Sequence, residues 1–374
     1  MKKSTVSGKV LLVFSTIMML HVRCSIISLP LRCNAGTASS FISNSRREFH
    51  KARPLYLNRF LLDPTELDDG IDPSSSPSVT LSKDDYRTIH AAKVLKLQNG
   101  NTLRAGIVIS ADRSHDPITN DESHPKEDWA GYVTDTASIE WLPEGKIKKA
   151  EPTRNGKPPG SLRIKLEGLI RPGSGEAEGP EGADISCPPP PTNVSLILAL
   201  PRPLALGRLL PMIAQMGVNN LVLIGAQKVP KDYWGSDLFR KPIKVRNLLI
   251  EGLCQAGDVV IPTITFAKRF RPFVEDDLDE MFPADEWARV IAHPLRKEED
   301  DFRLSDVVFP ENEQGSTSRK IVLAVGPEGG WAEPYELDKF QDAGFQQITI
   351  GKRILRSDVA VISLLSLAND LCAR

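Results

Sequence analysis

Short, continuous apolar runs in the second half of the 374-residue chain constrain its fold more than any other feature. The runs that predict strands are residues 194–200, 220–224, 259–266, 289–292, 321–325 and 347–350. The segments between and after them with the apolar spacing of helices are residues 204–216, 243–256, 334–342 and 357–371. A strand that is apolar along its whole length is buried on both faces, which is typical of a parallel sheet covered by helices. This half of the chain therefore predicts an α/β fold.

The first half of the chain has a different pattern, with short segments that are broken by Gly, Asn and Asp. Segments typical of a small β-barrel are residues 88–97, 102–110, 131–133 and 162–169. Four consecutive prolines at residues 188–191 are stiff and continue neither a sheet nor a helix. We therefore predict a linker at residues 186–192, between a first domain at 54–185 and a second at 193–374. Two polar insertions without a predicted function lie at residues 110–128 and 171–191.

Residues 1–53 are predicted to be a targeting presequence. Two lysines precede an apolar run at residues 10–20, which is too short to span a bilayer and is typical of a signal peptide. Residues 23–53 are rich in Ser and Arg and contain one acidic residue, Glu48, as organellar transit peptides do. Two interpretations stay open: a plastid reached through the secretory route, and a plain mitochondrial or chloroplast presequence. Under both, we expect an organellar mature protein that is not held in a membrane.

Composition limits the classes of partner and cofactor. The formal net charge of −1 disfavours a polycationic protein, so any contact with nucleic acid must come from a local basic surface. The five cysteines are scattered without a CxxC pair, and the six histidines lack metal-binding spacing, so we expect no metal. Cys254 lies on a predicted helix without a histidine and acid partner evident in the sequence. We interpret it as a buried small apolar residue rather than a nucleophile.

Two glycine-containing loops, at residues 326–330 and 351–356, each follow a predicted strand. Loops at the carboxyl ends of parallel strands are where α/β proteins bind ligands. The first loop has no GxxxxGK[ST] or GxGxxG pattern, and Glu328 would place a carboxylate where a phosphate should lie. A carboxylate suits a cation instead, which favours the sulfonium of S-adenosylmethionine. The alternative is that Gly326, Gly329 and Gly351 only form tight turns.

These loops resemble the motifs of a known family. The segments LAVGPEGG at residues 323–330 and IGKRILR at 350–356 are similar to the IGPEGG and LGxRILR motifs of the RsmE family. Members of that family methylate N3 of a uridine in small-subunit, 16S-type ribosomal RNA. Further similar segments are LALPRP at residues 198–203, RPFVED at 271–276 and HP at 293–294. In the first half, Arg59-Phe60, His90 and VLKL at 94–97 resemble the family's PUA-like RNA-binding domain.

The resemblance implies a SPOUT fold, in which a deep trefoil knot forms the S-adenosylmethionine pocket, and a homodimer in which the knots pack together. Its implied partner is small-subunit ribosomal RNA or a pre-ribosomal particle. The cofactor site implied by the match contains Ala292, His293, Gly326, Pro327, Glu328, Gly329, Ile350, Gly351, Ile354 and Leu355. RNA contacts, aimed mainly at phosphates, are expected from Arg59, His90, Lys93, Lys96 and Arg202.

Arg356 and Asp358 are the candidate catalytic residues. We expect Arg356 to face the RNA and to stabilise negative charge at uridine N3 or at a phosphate. Asp358 would hold Arg356 in place or accept the N3 proton. The alternative for this pair is a salt bridge at a helix start, with Asp358 as the N-cap.

Lys93 and Lys96 are predicted to share a helix face. The alternative to RNA binding for these two lysines is a solvated surface.

The family continues its last motif as RTETA, whereas this chain has RSDVA at residues 356–360. It also keeps only the Gln, Gln255, of the family's EQ-plus-Arg patch. The alternative function is therefore a catalytically weakened, knotted RNA-binding or ribosome-assembly factor.

Overall fold

The computed structural model describes residues 59–68, 76–110, 130–144, 152, 156–170, 188–189, 191–294, 302–311 and 319–373. All of them belong to one compact unit, Pro54–Arg374. The predicted presequence, linker residues 186, 187 and 190, and most of both insertions lie outside the described residues, as do Cys24, Cys33 and Cys187.

A five-stranded mixed sheet forms the first half. Its strands are β1 (Phe60–Leu62), β2 (Ser78–Leu81), β3 (Thr102–Ile107), β5 (Val133–Pro143) and β6 (Gly160–Lys165), and β4 (Ile109–Ser110) lies outside it. The strand order is β1-β3-β5-β6-β2, with β1 parallel to β3 and the other neighbours antiparallel. Leu67 bridges Val79, which brings the chain after β1 beside β2 at the far edge of the sheet. Alternate residues of these strands, such as Leu162 and Ile164, pack around the buried Trp141.

Helix α1 (Tyr86–Lys93) corrects our grouping of residues 88–97 with the strand-like segments. The Asp85 carboxylate caps the helix by accepting a hydrogen bond of 2.8 Å from the Arg87 backbone N–H. Ala91 and Ala92 on its inner face are buried against the sheet. A polar N-cap and closely spaced small apolar residues favour a helix here over a strand.

A six-stranded, fully parallel sheet forms the second half, as predicted. Its strands are β7 (Val194–Ala199), β8 (Asn220–Ile224), β10 (Thr263–Ala267), β11 (Trp287–Ala292), β12 (Lys320–Val325) and β13 (Gln346–Ile348), in the order β10-β8-β7-β12-β11-β13. The helices of this half are α2 (Pro203–Gln215), α3 (Asp237–Arg240), α4 (Pro242–Ala256), α5 (Phe270–Pro272), α6 (Leu278–Met281), α7 (Tyr335–Asp342) and α8 (Ser357–Cys372). Strands β7 and β12 lie side by side in the middle and are buried almost throughout, as their apolar runs predict.

The two halves are joined by backbone and side-chain contacts. The strand predicted at residues 259–266 is divided at Pro262 into β9 (Val260–Ile261) and β10, because proline cannot donate a ladder hydrogen bond. Strand β9 turns away from the large sheet and pairs with β4 of the first half. The Arg246 guanidinium also donates to the Asp63 carboxylate at 2.5 Å. Burial raises the Asp63 pKa, but the charge and hydrogen bonds of Arg246 outweigh it and hold that pKa below 3.8.

The last helix, α8, begins differently from the prediction. Its N-cap residue is Arg356, which makes no side-chain capping bond, so neither Ser357 nor Asp358 is the cap. The Asp358 carboxylate instead accepts hydrogen bonds from the Arg356 guanidinium. None of the described helices is both long and apolar enough to cross a bilayer.

Candidate functional site

A cleft lies where three neighbouring parallel strands end. The register pairs Ala292 at the end of β11 with Val325 of β12 and Ile348 of β13, so the three strands end at one level. A cavity of about 120 Å³ is enclosed by the loops that follow them, at residues 293–294, 326–331 and 349–355. This is the sheet edge at which α/β proteins bind ligands.

The structure brings nine of the ten predicted cofactor residues to this cleft. They are Ala292, His293, Gly326, Pro327, Glu328, Ile350, Gly351, Ile354 and Leu355. Gly329 is not in the cleft lining; its carbonyl oxygen accepts a hydrogen bond of 2.8 Å from Lys228 Nζ, and the Lys228 side chain covers its Cα. The spacing of glycines in the sequence does not separate a residue that lines a cleft from one that supports the loop.

Lys228 supports the loop after β12 from the neighbouring loop after β8. Besides Gly329, its ammonium donates to the Trp331 carbonyl oxygen at 3.1 Å. Hydrogen bonds from a charged donor to carbonyl oxygens are stronger than neutral ones. Lys228 therefore ties the two ends of the GGW segment together, a role that a single lysine in a predicted loop does not reveal from sequence.

Glu336 is a second support that the sequence did not reveal. It lies in the first turn of α7 and is 1% exposed. Its two carboxylate oxygens accept from the Gln227 backbone N–H at 2.7 Å and from the Ala332 backbone N–H at 2.6 Å. A buried carboxylate is stable only when it is hydrogen-bonded, and here those bonds connect the same two loops that Lys228 connects. Acidic residues are common in the first turn of helices, so the sequence does not distinguish this one.

His293 and Trp331 complete the inner part of the cleft. The buried His293 ring lies 3.0 Å, Nε2 to Oε1, from the Glu333 carboxylate, which links the end of β11 to the loop after β12. Trp331 is 1% exposed and lines the cleft, and its Nε1–H has no hydrogen-bond partner among the described residues. A side chain at Gly326 would meet the Trp331 backbone N at 3.2 Å, so glycine is needed there for close approach.

The loop after β13 is held in a different way, through Thr349. Gly351 has φ of 141°, a conformation that strains any other residue. Its N–H donates to the Thr349 hydroxyl at 3.3 Å. Lys352 and Arg353 are exposed, and the Ile354 side chain is 86% exposed although it lines the cleft. This side of the cleft therefore presents apolar and basic groups to solvent.

Arg356 and Asp358 lie just past the cleft lining, between its members Leu355, Ser357 and Ala360. The Arg356 side chain is 73% exposed and forms an ion pair with Asp358. The hydrogen bond from Arg356 holds the pKa of the Asp358 carboxyl below 3.8. The ion pair at the start of α8 is the salt bridge expected under the structural alternative, and the holding role of Asp358 toward Arg356 stays a prediction.

Arg59 corrects the prediction of a phosphate contact. Its side chain is 2% exposed, and its guanidinium donates to the carbonyl oxygens of Ala105 at 3.0 Å and Gly257 at 3.3 Å. It also lies 3.8 Å from the Asp135 carboxylate. Because Ala105 and Gly257 belong to different halves of the protein, Arg59 fastens the halves together and does not face an RNA phosphate.

The other predicted RNA residues are placed apart from one another. Lys93 ends α1, whereas Lys96 lies past the helix with φ of 53°, so the prediction of a shared helix face is wrong. Both are exposed, as is Arg202, whose backbone N–H donates to Glu328 at 3.2 Å beside the cleft. His90 is half-buried on α1, and burial lowers its pKa below 6.5.

Cys254 has the chemistry expected of a partly buried, inert thiol. Burial raises its pKa to about 11, so it is a thiol and not a thiolate near neutral pH. No group of three or more His, Cys, Asp or Glu side chains suited to a metal ion occurs in the part of the chain that the structure describes.

The residues of the cleft fit a ligand that combines a flat, weakly polar ring with a positive charge. Val325, Ile348 and Ile350 supply apolar surface, and Glu328 supplies a carboxylate at the rim. The Trp331 indole offers a buried donor. A small number of polar groups in a mostly apolar cleft is typical of cofactor sites.

A sequence model described as an RNA methyltransferase domain matches residues 188–369. The chain is 27% identical over 168 residues to ribosomal RNA small subunit methyltransferase E of Treponema pallidum, a match that covers 44% of this chain and 57% of that protein. It is 43% identical over 58 residues to the protein of that name in Synechocystis, covering 16% of this chain and 19% of the relative. The chain thus matches only part of the length of these relatives.

Solved structures are similar over a larger part of the chain. A ribosomal RNA small subunit methyltransferase E from Neisseria gonorrhoeae bound to S-adenosyl methionine has a TM-score of 0.52 and 18% identity, covering 84% of this chain and 97% of that one. A probable rRNA-methyltransferase from Porphyromonas gingivalis has a TM-score of 0.51 and 17% identity, covering 84% of this chain and 98% of that one. At these identities the likeness concerns the fold.

Proposed function

Because the chain belongs to the RNA methyltransferase family that includes ribosomal RNA small subunit methyltransferase E, we propose that it methylates N3 of a uridine in small-subunit, 16S-type ribosomal RNA. The methyl donor is S-adenosylmethionine. The observation that carries this proposal is the cleft at the ends of β11, β12 and β13. Nine predicted cofactor residues, from the two glycine loops and the end of β11, line this cleft, and the exposed Arg356 lies beside it.

Ala292, the glycine loop at residues 326–330 and the loop after β13 would hold the cofactor. When bound, it supplies an activated methyl group next to a sulfonium charge. Glu328 attracts that charge. The exposed Lys228 and the buried Glu336 support the loop and keep its backbone in place without reorganisation. Holding donor and acceptor in a fixed geometry accounts for much of the rate enhancement that such a transfer needs.

Uridine N3 loses a proton as it gains the methyl group, so negative charge develops on the base. The exposed Arg356 guanidinium stabilises that charge, and Asp358 orients the guanidinium through two hydrogen bonds. Hydrogen bonding to Arg356 holds the Asp358 pKa below its ordinary value, so this carboxylate does not keep a proton near neutral pH. It can only relay the N3 proton to the buffered bulk solvent, which takes it up.

The architecture that goes with this function is also part of the proposal. It includes a trefoil knot, which is supported by a hydrogen bond of 2.9 Å from the Thr349 N–H, after β13, to the Phe302 carbonyl oxygen in the connection between β11 and β12. The approach of Leu67 to Val79 supports a PUA-like barrel in the first half. Exposed apolar side chains near the cleft, Leu204, Ile354 and Val359, support a homodimer.

Methylation mapping tests the reaction directly. Ribosomal RNA from a strain that lacks the gene, analysed by mass spectrometry, should lose one N3-methyluridine in the small subunit, within the organelle that receives the protein, a plastid or a mitochondrion. Calorimetry with S-adenosylmethionine tests the cofactor separately. Cofactor binding without a lost methyl mark would favour the alternative, a ribosome-assembly factor with weakened catalysis. This alternative is suggested by the exposed Arg356–Asp358 pair and by the RSDVA segment at residues 356–360.

A further inference from the structure

A second cavity, of about 630 Å³, lies between α1 of the first half and α4 of the second half. None of its lining residues belongs to the cleft described above. Its inner surface is apolar, with Phe60 and Leu61 buried and Cys254 half-buried. This volume leaves room for a planar ring between the two helices.

Helix α4 contributes a row of polar side chains to this cavity. Asn247, Glu251 and Gln255 are spaced four residues apart, which places them on one face of the helix. All three are exposed, and none of them has a side-chain hydrogen bond or ion pair with another described residue. Two amides and one carboxylate therefore offer donors and acceptors that the protein itself does not use.

Helix α1 contributes a ring surface on the other side. Tyr86 and His90, again four residues apart, line the cavity, and Tyr86 is 61% exposed. The Arg87 guanidinium lies 5.6 Å from the centroid of the Tyr86 ring. The Tyr86 hydroxyl is protonated near neutral pH, as tyrosine ordinarily is, and remains a donor. Burial lowers the pKa of His90, so its ring is neutral there.

We propose that this groove binds the base of an unpaired RNA nucleotide, with the base against Tyr86 and its edge toward Asn247 and Gln255. This inference rests on the proposed function in that RNA is the substrate. A nucleobase has two apolar faces, which suit Tyr86, Phe60 and Leu61, and an edge of donors and acceptors, which suits amide side chains.

Charge decides which part of the nucleotide enters. The Glu251 carboxylate would repel a phosphate but accepts a hydrogen bond from a ring or exocyclic N–H of a base. The three cations of the lining are already engaged. Arg87 pairs with Glu66 and Asp85, Arg59 donates to backbone carbonyl oxygens, and the exposed Lys244 pairs with Asp237. The base therefore goes inward and its phosphate stays outside. An apolar peptide would leave the polar row on α4 uncompensated, which disfavours a protein segment as the occupant.

The experiment measures binding of a short, labelled single-stranded oligoribonucleotide of mixed sequence to the full chain by fluorescence anisotropy. Tyr86→Ala should weaken binding about tenfold, the effect expected when one base loses its stacking partner. Tyr86→Phe keeps the ring and should bind nearly as wild type. Asn247→Ala should weaken binding about threefold, as for one lost hydrogen bond. The matched control is Tyr335→Ala, which removes another exposed tyrosine, 46% exposed, that does not line the groove.

S-adenosylmethionine affinity, measured by calorimetry on the same variants, separates this inference from the proposed function. Unchanged cofactor binding with the expected order of RNA affinities supports the groove as an RNA site. Equal RNA affinity in wild type, Tyr86→Ala and Asn247→Ala overturns it and leaves the groove to another partner. An equal loss in Tyr335→Ala or Tyr86→Phe also overturns it. Failure of the wild type to bind the cofactor contradicts the proposed function and not the groove.

Discussion

The loop after β12 and the loop after β13 both line the cleft, but the rest of the protein holds them to different extents. The first is fastened by Lys228 and by the buried carboxylate of Glu336. The second relies on Thr349 and exposes Ile354 almost fully. A wall held by buried charge-assisted bonds is preformed, whereas an exposed apolar wall gains most of its burial when something covers it. The cleft thus combines a rigid side with a side that is open to solvent.

The largest effect should come from removing the main support of the rigid side. Glu336→Ala leaves the buried Ala332 N–H and the partly buried Gln227 N–H without acceptors, and we expect a loss of about 2–3 kcal/mol in the free energy of unfolding. Urea denaturation measures this loss. The control is Asp338→Ala, an exposed acid on the same helix without a recorded partner, which should change the stability little. If the two variants are equally stable, the rigid side does not depend on this carboxylate.

Lys228→Ala should have a smaller and more local effect. It removes two hydrogen bonds to loop carbonyls that remain near solvent, so we expect a loss of about 1 kcal/mol in stability and a roughly fivefold weaker affinity for S-adenosylmethionine. Calorimetric titration measures the affinity. The control is Lys231→Ala, which removes another exposed lysine close by in the chain. An affinity equal to that of the control would show that the loop keeps its shape without this lysine.

Ile354→Ala tests the open side of the cleft. Because the side chain is 86% exposed, its removal should change the free energy of unfolding by less than about 0.5 kcal/mol. Cofactor affinity should still fall about threefold, since the ligand loses apolar contact there. Val308→Ala, at a residue 71% exposed and outside the cleft, is the control for both measurements. A large loss of stability for Ile354→Ala would contradict the comparison of the two walls.

The smallest effect on stability concerns Asp358. Its folded-state pKa lies below the ordinary 3.8, so its contribution is present above pH 3.8 and is lost as the pH falls through the folded-state value. Arg356 is 73% exposed, so screening limits this contribution to within about 0.5 kcal/mol. Asp358→Asn should therefore match wild type in acid and differ slightly at neutral pH, in thermal unfolding at low salt. A difference that persists in acid would point to another role for this side chain.

Sequence reasoning predicted the second half of the fold well, because its strands are buried on both faces. Residues such as Leu196 and Val322 can be recognised from an unbroken apolar run. The first half was harder to predict, and helix α1 was grouped with the strand-like segments. Its helical signal depends on one capping residue, Asp85, and on two small apolar residues in an otherwise polar stretch.

The cleft was also largely predictable, because its lining comes from residues that directly follow the strand ends. Its supports were not. Lys228 contacts Gly329, which is 101 residues away in the chain, and Glu336 contacts Gln227, which is 109 residues away. Only the folded structure brings these residues together. Arg59 shows that the contacts of a charged residue also cannot be predicted from the sequence. Its charge suggests a phosphate contact, but the side chain is buried and donates to the Ala105 and Gly257 carbonyl oxygens.

The pairing of β4 with β9 has a consequence for how this protein can vary. These two-residue strands meet through backbone hydrogen bonds, such as that from the Ile109 N–H to the Val259 carbonyl oxygen at 2.9 Å. Many side chains are compatible with such a ladder, but its spacing is not adjustable, since a shift of one residue turns every side chain to the other face. Selection at this junction therefore acts on segment length as well as on the apolar character of Ile261, which is buried in the core. Insertions and deletions are confined to the connections beyond it.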